Sequence, residues 1–423
     1  MKITILNSSQ TSAALDGYIN TLVNLLESKG HEVQNLLLRE MNLRSCRGCF
    51  HCWVKTPGYC VLKDDSDLLD RTVISSDFVL WASPMVLGFP NEFFKRALDK
   101  HLPLLLPNME IAEGEMHHVA RYPHYPRIGM LVEKERATDE EDVRILTDIF
   151  ARTALNFKTR LEFLATTQEA PEQISEQILH PQEGSHLYQK SLKGMPFTTI
   201  QPPHSITVFN GSPRGEKGSN TLILLNEFTR SFEGNIQLLH LWNGKDMENH
   251  VKAFQSAECV WLGFPLYTDC MPSIVTRFID ALQPLLKRSI NPPIGFLVQS
   301  GFAESLHSRY VERYLEKLAR RLGSPYLGTI VKGGGEGIHV MPPQANRKLF
   351  QNLQHLGASF KSNGKLDERV LSQIAKPERI PTLIIPPVKK AMRIPLFNSY
   401  FDGQLQKNGA YEKRFDRPFL EER

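Results

Sequence analysis

Four cysteines are concentrated in one short segment near the start of the chain, at Cys46, Cys49, Cys52 and Cys60. The first three are spaced with two residues between neighbours, so their sulfur atoms can converge around one compact turn. With the fourth they supply the ligands of an iron–sulfur cluster or of tetrahedral zinc. The repeated spacing favours iron–sulfur, because structural zinc more often uses two separated pairs. Zinc and unmetallated thiols stay open as alternatives.

A second segment suited to chemistry follows an apolar, β-rich run that ends at Asn210. Residues 211–221 read GSPRGEKGSNT. Between a strand and a helix, such a loop can aim backbone N–H groups, hydroxyls and the helix N-terminus at one phosphate. It fits neither a Walker A loop nor the three-glycine dinucleotide fingerprint. The residues alone leave open a plain polar turn with a helix cap at Ser219 or Asn220.

The strand pattern around this loop repeats an earlier part of the chain. Three apolar runs recur in the same order: residues 3–7 with 205–210, 78–85 with 260–267, and 128–132 with 294–298. Each run is followed by a loop and a helical pattern, which predicts a duplicated α/β domain with a parallel sheet. Pro84 is 77 positions after Asn7, whereas Pro265 is 55 positions after Asn210. The cysteine segment accounts for the surplus of 22.

Composition and charge narrow the classes of function. The chain has 423 residues, and its 50 Lys and Arg against 46 Asp and Glu give a mild net charge of +4 without basic blocks. This pattern gives no support for a nucleic-acid partner. The apolar run at the start is too short for a signal peptide, and no later run approaches the ~18 residues of a membrane span. We therefore expect a cytoplasmic protein without a membrane span.

The repeat also predicts domain boundaries. We expect a first domain over residues 1–165, a linker with one helix over 166–203, and a second domain over 204–376. Recurrent prolines then predict an irregular tail over 377–423. The run KGGGEGI at 332–338 is interpreted as a flexible lid or phosphate nest, or as an irregular exit from a strand. Cys259 and Cys270 are predicted to be packed small residues.

The second copy resembles the flavodoxin-like NAD(P)H-dependent FMN reductases. The motifs that carry this resemblance are Gly211-Ser212-Pro213-Arg214, Ser219-Asn220-Thr221, Pro265-Leu266-Tyr267 and Arg277-Phe278-Ile279-Asp280. The resemblance implies two α/β domains in tandem, each a flavodoxin-like doubly wound parallel sheet. It implies an FMN phosphate held by Ser212, Arg214, Ser219, Asn220 and Thr221. The implied contacts to the flavin ring are Pro265, Leu266, Tyr267 and Gly301.

The cysteine segment resembles that of the iron–sulfur flavoproteins, a variant of the same family. In that variant a compact cysteine motif follows the second strand and holds a 4Fe-4S cluster, which implies Cys46, Cys49, Cys52 and Cys60 as the ligands. The loop of the first copy, residues 7–14, lacks the glycine, proline and arginine of the second. We therefore expect FMN in the second copy and the cluster on the first. Phosphate binding in the first copy through Ser8, Ser9 and Thr11 stays open as an alternative.

The function expected from these features is an NAD(P)H-dependent FMN oxidoreductase that passes electrons to a small-molecule or protein acceptor. No catalytic side chain is predicted, because the chemistry takes place on the cofactor. The two copies are expected to pair as an intramolecular pseudo-dimer, and further homo-oligomers stay open. One alternative is an FMN-only quinone or nitro-compound reductase. The other is a non-catalytic scaffold with decayed flavin sites, in which zinc binds and stabilises the cysteine segment.

Overall fold

The computed structural model describes most of the chain, namely residues 1–181, 194–244, 246–288, 290–392 and 394–420. The chain divides into two units. The first consists of Met1–Glu113, His117–Gln189 and Leu383–Arg423, and the second of Gly114–Met116 and Lys190–Thr382. Each unit is built around its own parallel sheet.

The strands of the first copy, in chain order, are β1 (Lys2–Asn7), β2 (Glu32–Leu37), β3 (Phe78–Val86), β4 (Phe89–Pro90), β5 (Leu105–Ala112), β6 (Glu115–Ala120), β7 (Arg127–Glu133) and β8 (Leu161–Thr166). Its helices are α1 (Ala13–Ser28), α2 (His51–Val54), α3 (Ser66–Ile74), α4 (Glu92–Lys100), α5 (Glu140–Asn156) and α6 (Pro171–Leu179). The main strands pair in parallel in the order β2-β1-β3-β7-β8, and the short β4 runs antiparallel to β3. β5 and β6 form a separate two-stranded sheet.

The second copy has the strands β9 (Ser205–Asn210), β10 (Asn235–His240), β11 (Val260–Pro265), β12 (Ile294–Gln299) and β13 (Tyr326–Lys332). Its helices are α7 (Asn220–Thr229), α8 (Met247–Ser256), α9 (Ser273–Ala281), α10 (Leu306–Arg321), α11 (Arg347–Asn363) and α12 (Glu368–Ile374). The strand order is β10-β9-β11-β12-β13, with all neighbours parallel. Both sheets therefore have the 2-1-3-4-5 order of flavodoxin-like folds, which confirms the expected fold class.

The sequence explains why these runs become central strands. Every residue of β11 and β12 is buried, as expected for strands that helices cover on both faces. In α1 the buried residues recur every three or four positions, at Leu15, Ile19, Leu22 and Leu26, so one stripe of the helix packs on the sheet. All three pairs of repeated runs contain a strand as predicted, and the run over 260–267 continues into the loop after β11.

Two regions differ from or extend the expectation. The tail over 377–423 is not irregular throughout, because it contains α13 (Ile385–Met392) and α14 (Pro395–Lys407). Pro386, Pro387 and Pro395 lie in the first turns of these helices, where proline is tolerated, so these three mark helix starts. In the expected linker, α6 is the one helix that the structure describes, and residues 182–193 lie outside the described residues. Among the described helices, none is long and apolar enough to cross a membrane.

One glycine recurs at the same place in both sheets because an aromatic ring lies over it. A Cβ atom added to Gly129 in β7 would lie 2.5 Å from the ring of Phe163. A Cβ atom added to Gly295 in β12 would lie 2.6 Å from the ring of the fully buried Trp261. The near-literal match between the two runs is therefore a packing requirement of the sheet.

Replacement of this glycine by alanine is expected to destabilise each sheet. Gly295→Ala forces the Trp261 ring to shift in a close-packed core, which we expect to lower the free energy of unfolding by about 1–3 kcal/mol. Gly17→Ala is the matched control, because Gly17 is exposed in α1 with nothing within 4 Å of an added Cβ atom. This control should raise stability by about 0.5–1 kcal/mol. Urea unfolding measures both, and equal effects of the two variants would contradict the packing argument.

Candidate functional site

The cysteine segment follows β2 and precedes α3, where the sequence resemblance implies it should be. Left-handed backbone at Gly48 (φ 62°) and Phe50 (φ 58°) bends the chain between the first cysteines. Cys52 then lies in the short α2 and is buried, whereas Cys49 is exposed and the other two are half-buried. The thiols of the segment thus range from the interior to the surface of one compact loop.

Burial is the main influence on the acidity of the thiols in the cysteine segment. Burial raises the pKa of the Cys52 thiol well above its usual range, and the charges of the other three cysteines of the segment raise it further. Burial likewise raises the pKa of Cys46 to about 12. In the part of the chain that the structure describes, however, no three His, Cys, Asp or Glu side chains are grouped closely enough to hold a single metal ion. The thiols are donors of the type that a metal centre uses. In the described residues they are not gathered around one point.

Two cations accompany the thiols. The Lys100 ammonium lies 2.8 Å from Asp64 and 3.3 Å from the Cys60 sulfur, and Lys100 is almost completely buried. Burial by itself would lower the pKa of Lys100, but the hydrogen bond to Asp64 and the charge of Cys60 raise it overall. The charge of Arg121 favours the thiolate of Cys52. Both cations therefore stabilise negative sulfur in this loop.

The C-terminal segment of the same unit covers the cysteine segment. Phe401 of α14 contacts Trp53 edge-on, with 5.9 Å between ring centroids, and also approaches Phe50 at 6.5 Å. Further along, Phe419 packs edge-on against Tyr59 at 5.3 Å. The tail, which the sequence analysis expected to be irregular, thus forms part of the wall around Cys52.

The loop after β9 has the shape expected of an anion-binding turn. The side-chain oxygen of Asn210 accepts a hydrogen bond of 3.1 Å from the backbone N–H of Ser212, and the Ser219 hydroxyl caps α7 by accepting from the N–H of Leu222. Four of the five predicted phosphate ligands are buried: Ser212, Ser219, Asn220 and Thr221. The fifth, Arg214, is half-buried and pairs with Glu336. The structure therefore brings all five into one loop at the N-terminus of α7.

The predicted ring residues follow the neighbouring strands. Pro265 is the buried end of β11, and the backbone N–H of Leu266 donates to the carbonyl of Gln299 at the end of β12. Tyr267 is half-buried, and its backbone pairs with that of Cys270. Gly301 is exposed, and an added Cβ atom there would meet only the Cβ of Glu336 within 4 Å. These residues share one edge of the sheet with the phosphate loop.

A buried histidine that the sequence analysis missed joins the two ring loops. His307 Nδ1 lies 3.9 Å from Asp269 in the loop after β11, and its Nε2 lies 3.9 Å from Glu304 in the loop after β12. All three side chains are almost fully buried, and the Phe302 ring lies tilted against the imidazole, with 4.5 Å between ring centroids. Asp269 has left-handed backbone with φ 59°, a strained conformation that is common at functional sites. The available signal was the polar run SGFAESLHS directly after β12.

The first copy has the same turn but a different charge. Asn7 accepts from the N–H of Ser9 at 2.9 Å, as Asn210 does from Ser212. The hydroxyl of Ser12, which caps α1, donates to the carboxylate of Glu133 at 2.9 Å. In the second copy the strand position of Glu133 belongs to the neutral Gln299, since each lies opposite the equivalent proline of the neighbouring strand. A carboxylate therefore occupies the helix N-terminus of the first copy.

Comparison with known proteins gives one sequence relative and several structures. An iron-sulfur flavoprotein from Archaeoglobus fulgidus is 32% identical over 99 residues, which is 23% of this chain and 44% of that protein. The match agrees with the resemblance drawn from the sequence, and the chain spans less than half of this relative's length. No known protein-family profile matches the chain.

The solved structures that resemble the chain do so at low TM-scores. An FMN-dependent NADH-azoreductase from Bacillus anthracis in complex with FMN is 12% identical, with a TM-score of 0.30 over 37% of this chain and 99% of that one. A general stress protein 14 from Treponema denticola in complex with FMN is 14% identical, with a TM-score of 0.31 over 38% of this chain and 98% of that one. Likenesses at this level carry no argument about function.

The cover over the cysteine segment can be tested by thiol labelling of the metal-free chain. Phe401→Ala removes the ring that packs on Trp53 and is expected to make alkylation of the buried Cys52 faster. Exposed Cys49 should react rapidly with and without the substitution. Leu383→Ala serves as the control, because Leu383 belongs to the same C-terminal segment and is 92% exposed. Mass spectrometry of alkylated peptides gives the rate at each cysteine, and unchanged labelling of Cys52 in Phe401→Ala would show that α14 does not shield it.

Proposed function

We propose that the chain is an NAD(P)H-dependent FMN oxidoreductase of the iron–sulfur flavoprotein type. In this proposal the second copy binds FMN and the first copy holds a 4Fe-4S cluster through Cys46, Cys49, Cys52 and Cys60. The observation that carries it is an asymmetry between two equivalent sheets. Only the first copy has the cysteine segment, and only the second has a phosphate loop whose facing strand ends in a neutral side chain.

The flavin assignment is supported by the chemistry of the loop after β9. Backbone N–H groups at the start of α7, buried hydroxyls and Arg214 together match what a dianionic phosphate requires. When FMN is bound, it supplies a group that can accept hydride and pass on single electrons. The chain's own part is to fix the phosphate at Ser212, Ser219, Asn220 and Thr221. The loops at Tyr267 and Gly301 then border the ring.

The cluster assignment is supported by the donor set and its surroundings. Four thiols within fifteen residues of one loop suit a centre with four cysteine ligands. The cations Lys100 and Arg121 offset the negative charge that thiolate ligands bring. A 4Fe-4S cluster, when bound, supplies one-electron transfer. The 32% identical iron-sulfur flavoprotein supports the same assignment, and we place the chain in a reducing cytoplasm on the strength of its free thiols.

One observation favours a second candidate, an FMN-only reductase of quinones or nitro compounds. The described residues contain no group of three ligands that already surrounds one point. Reduced cysteines without a metal are consistent with this arrangement. Electrons would then pass from the flavin directly to the acceptor. Iron content separates this candidate from the first.

Replacement of one cysteine should separate the two cofactors. Cys49→Ser removes an exposed ligand without opening the core, so we expect loss of iron after anaerobic reconstitution and full retention of FMN. The control Cys259→Ala alters a cysteine of the second copy and should keep both. Iron and flavin are measured on the same samples. Full iron in Cys49→Ser would remove Cys49 from the ligand set, and equal absence of iron in all proteins would favour the FMN-only candidate.

The location of the flavin can be tested with a matched pair of serines. Ser212→Ala removes a hydroxyl from the loop of the second copy and is expected to weaken FMN binding about tenfold, as loss of one hydrogen bond to a charged group does. Ser9→Ala removes the equivalent hydroxyl of the first copy and should leave FMN affinity unchanged. Fluorescence titration of the flavin-free chain gives both dissociation constants. If only Ser9→Ala weakened FMN binding, the flavin would lie in the first copy, which would contradict the proposal.

A further inference from the structure

The segment after β13 lies on the phosphate loop of the second copy. We name residues 333–341 the strap. Its first glycines lie against the loop after β12, with the N–H of Gly334 donating to Phe302 and that of Gly335 to Ser300. An added Cβ atom at Gly333 would lie 2.2 Å from the carbonyl oxygen of Ala303. Side chains are therefore excluded where the strap begins, which accounts for the glycine run.

The strap makes polar contacts with two of the predicted phosphate ligands. The carboxylate of Glu336 pairs with the Arg214 guanidinium at 3.0 Å. The Asn220 amide donates to the backbone carbonyl of Glu336 at 3.3 Å, and its oxygen lies 3.0 Å from Nδ1 of His339. Arg214 and Asn220 are thus both engaged by the strap.

The contact between Glu336 and Arg214 resembles the one that a phosphate would make. A carboxylate near a helix N-terminus is stabilised by the helix dipole, as a phosphate oxygen would be. A carboxylate and a phosphate oxygen also compete for the same guanidinium. Two anions at one arginine repel each other, so a phosphate gains full use of Arg214 only when Glu336 withdraws.

The two copies differ in how firmly the carboxylate is held. In the first copy Glu133 is part of β7 and its position is fixed by the pairing of that strand with β3. In the second copy Glu336 stands on the strap, outside any strand, and its side chain is 29% exposed. Ile338, two residues on, is buried and anchors the strap in the core. Withdrawal therefore requires only that the Glu336 side chain turn outward.

We propose that Glu336 is a built-in competitor for the phosphate site, which determines how tightly the second copy takes a phosphate monoester. Its carboxylate closes the loop by pairing with Arg214. A phosphate monoester binds by taking Arg214 from it. The inference rests on the proposed function, because FMN is the monoester that the proposal assigns to this loop.

The experiment compares three proteins and three ligands. The proteins are the wild type, Glu336→Gln and the control Glu216→Gln, which removes a negative charge from an exposed glutamate in the same loop, outside the pair with Arg214. The ligands are FMN, riboflavin, which lacks the phosphate, and inorganic phosphate. Fluorescence titration measures the two flavins, and the shift in unfolding temperature measures inorganic phosphate.

Glu336→Gln is expected to bind FMN about tenfold more tightly than the wild type, since removal of a competing charge is worth about as much as one charged hydrogen bond. Its unfolding temperature should also rise more with inorganic phosphate, while riboflavin affinity stays unchanged and Glu216→Gln behaves as the wild type. Unchanged or weaker binding of both FMN and phosphate by Glu336→Gln would overturn the inference. An equal gain in Glu216→Gln would also overturn it, because the effect would then be general electrostatics.

Failure of the proposed function has a different signature. If none of the three proteins binds FMN but Glu336→Gln still responds more strongly to inorganic phosphate, the flavin assignment fails and the role of Glu336 stands. If no protein responds to either ligand, both are overturned.

Discussion

Parallel strand pairing is the constraint on which the candidate sites depend. When all five main strands of a sheet run in the same direction, every loop that follows a strand end lies at one edge. Residues far apart in the chain are thereby gathered, such as Ser212 after β9, Leu266 after β11 and Gly301 after β12. The cost of this arrangement is that the strands must be buried on both faces. That requirement explains the nearly continuous apolar runs and the glycines beneath aromatic rings.

The two sheets differ at these edges in how firmly a carboxylate is held near the helix N-terminus. Each helix N-terminus offers N–H groups and a positive dipole end, and each already has a carboxylate nearby. Glu133 is held by a strand in the first copy, whereas Glu336 stands on a separate segment with a half-buried side chain in the second. In our account the fixed carboxylate of Glu133 excludes phosphate from the first copy. The carboxylate of Glu336 can turn away, and it thereby determines the phosphate affinity of the second copy. The duplicated fold thus supports different sites through a few polar substitutions at equivalent positions.

The sequence was sufficient for the features that depend on short-range patterns. Apolar runs predicted the strands, and the match between residues 128–132 and 294–298 revealed the duplication. The pairing of Arg214 with Glu336 was beyond reach, because the two residues are 122 positions apart and only the strand order brings them together. The cover of α14 over the cysteine segment was missed for the same reason. The prolines of the tail were interpreted as breaks, yet they also suit the first turn of a helix.

The central claim is a division of labour, with flavin on one copy and iron on the other. The most direct test is the stoichiometry of cofactors in the chain purified without oxygen. Our account predicts one FMN and four iron atoms per chain, since a 4Fe-4S cluster takes all four cysteines of the segment and only one phosphate loop accepts a dianion. Two FMN molecules per chain would contradict the role given to Glu133. The absence of flavin would contradict this division of labour and the proposed function.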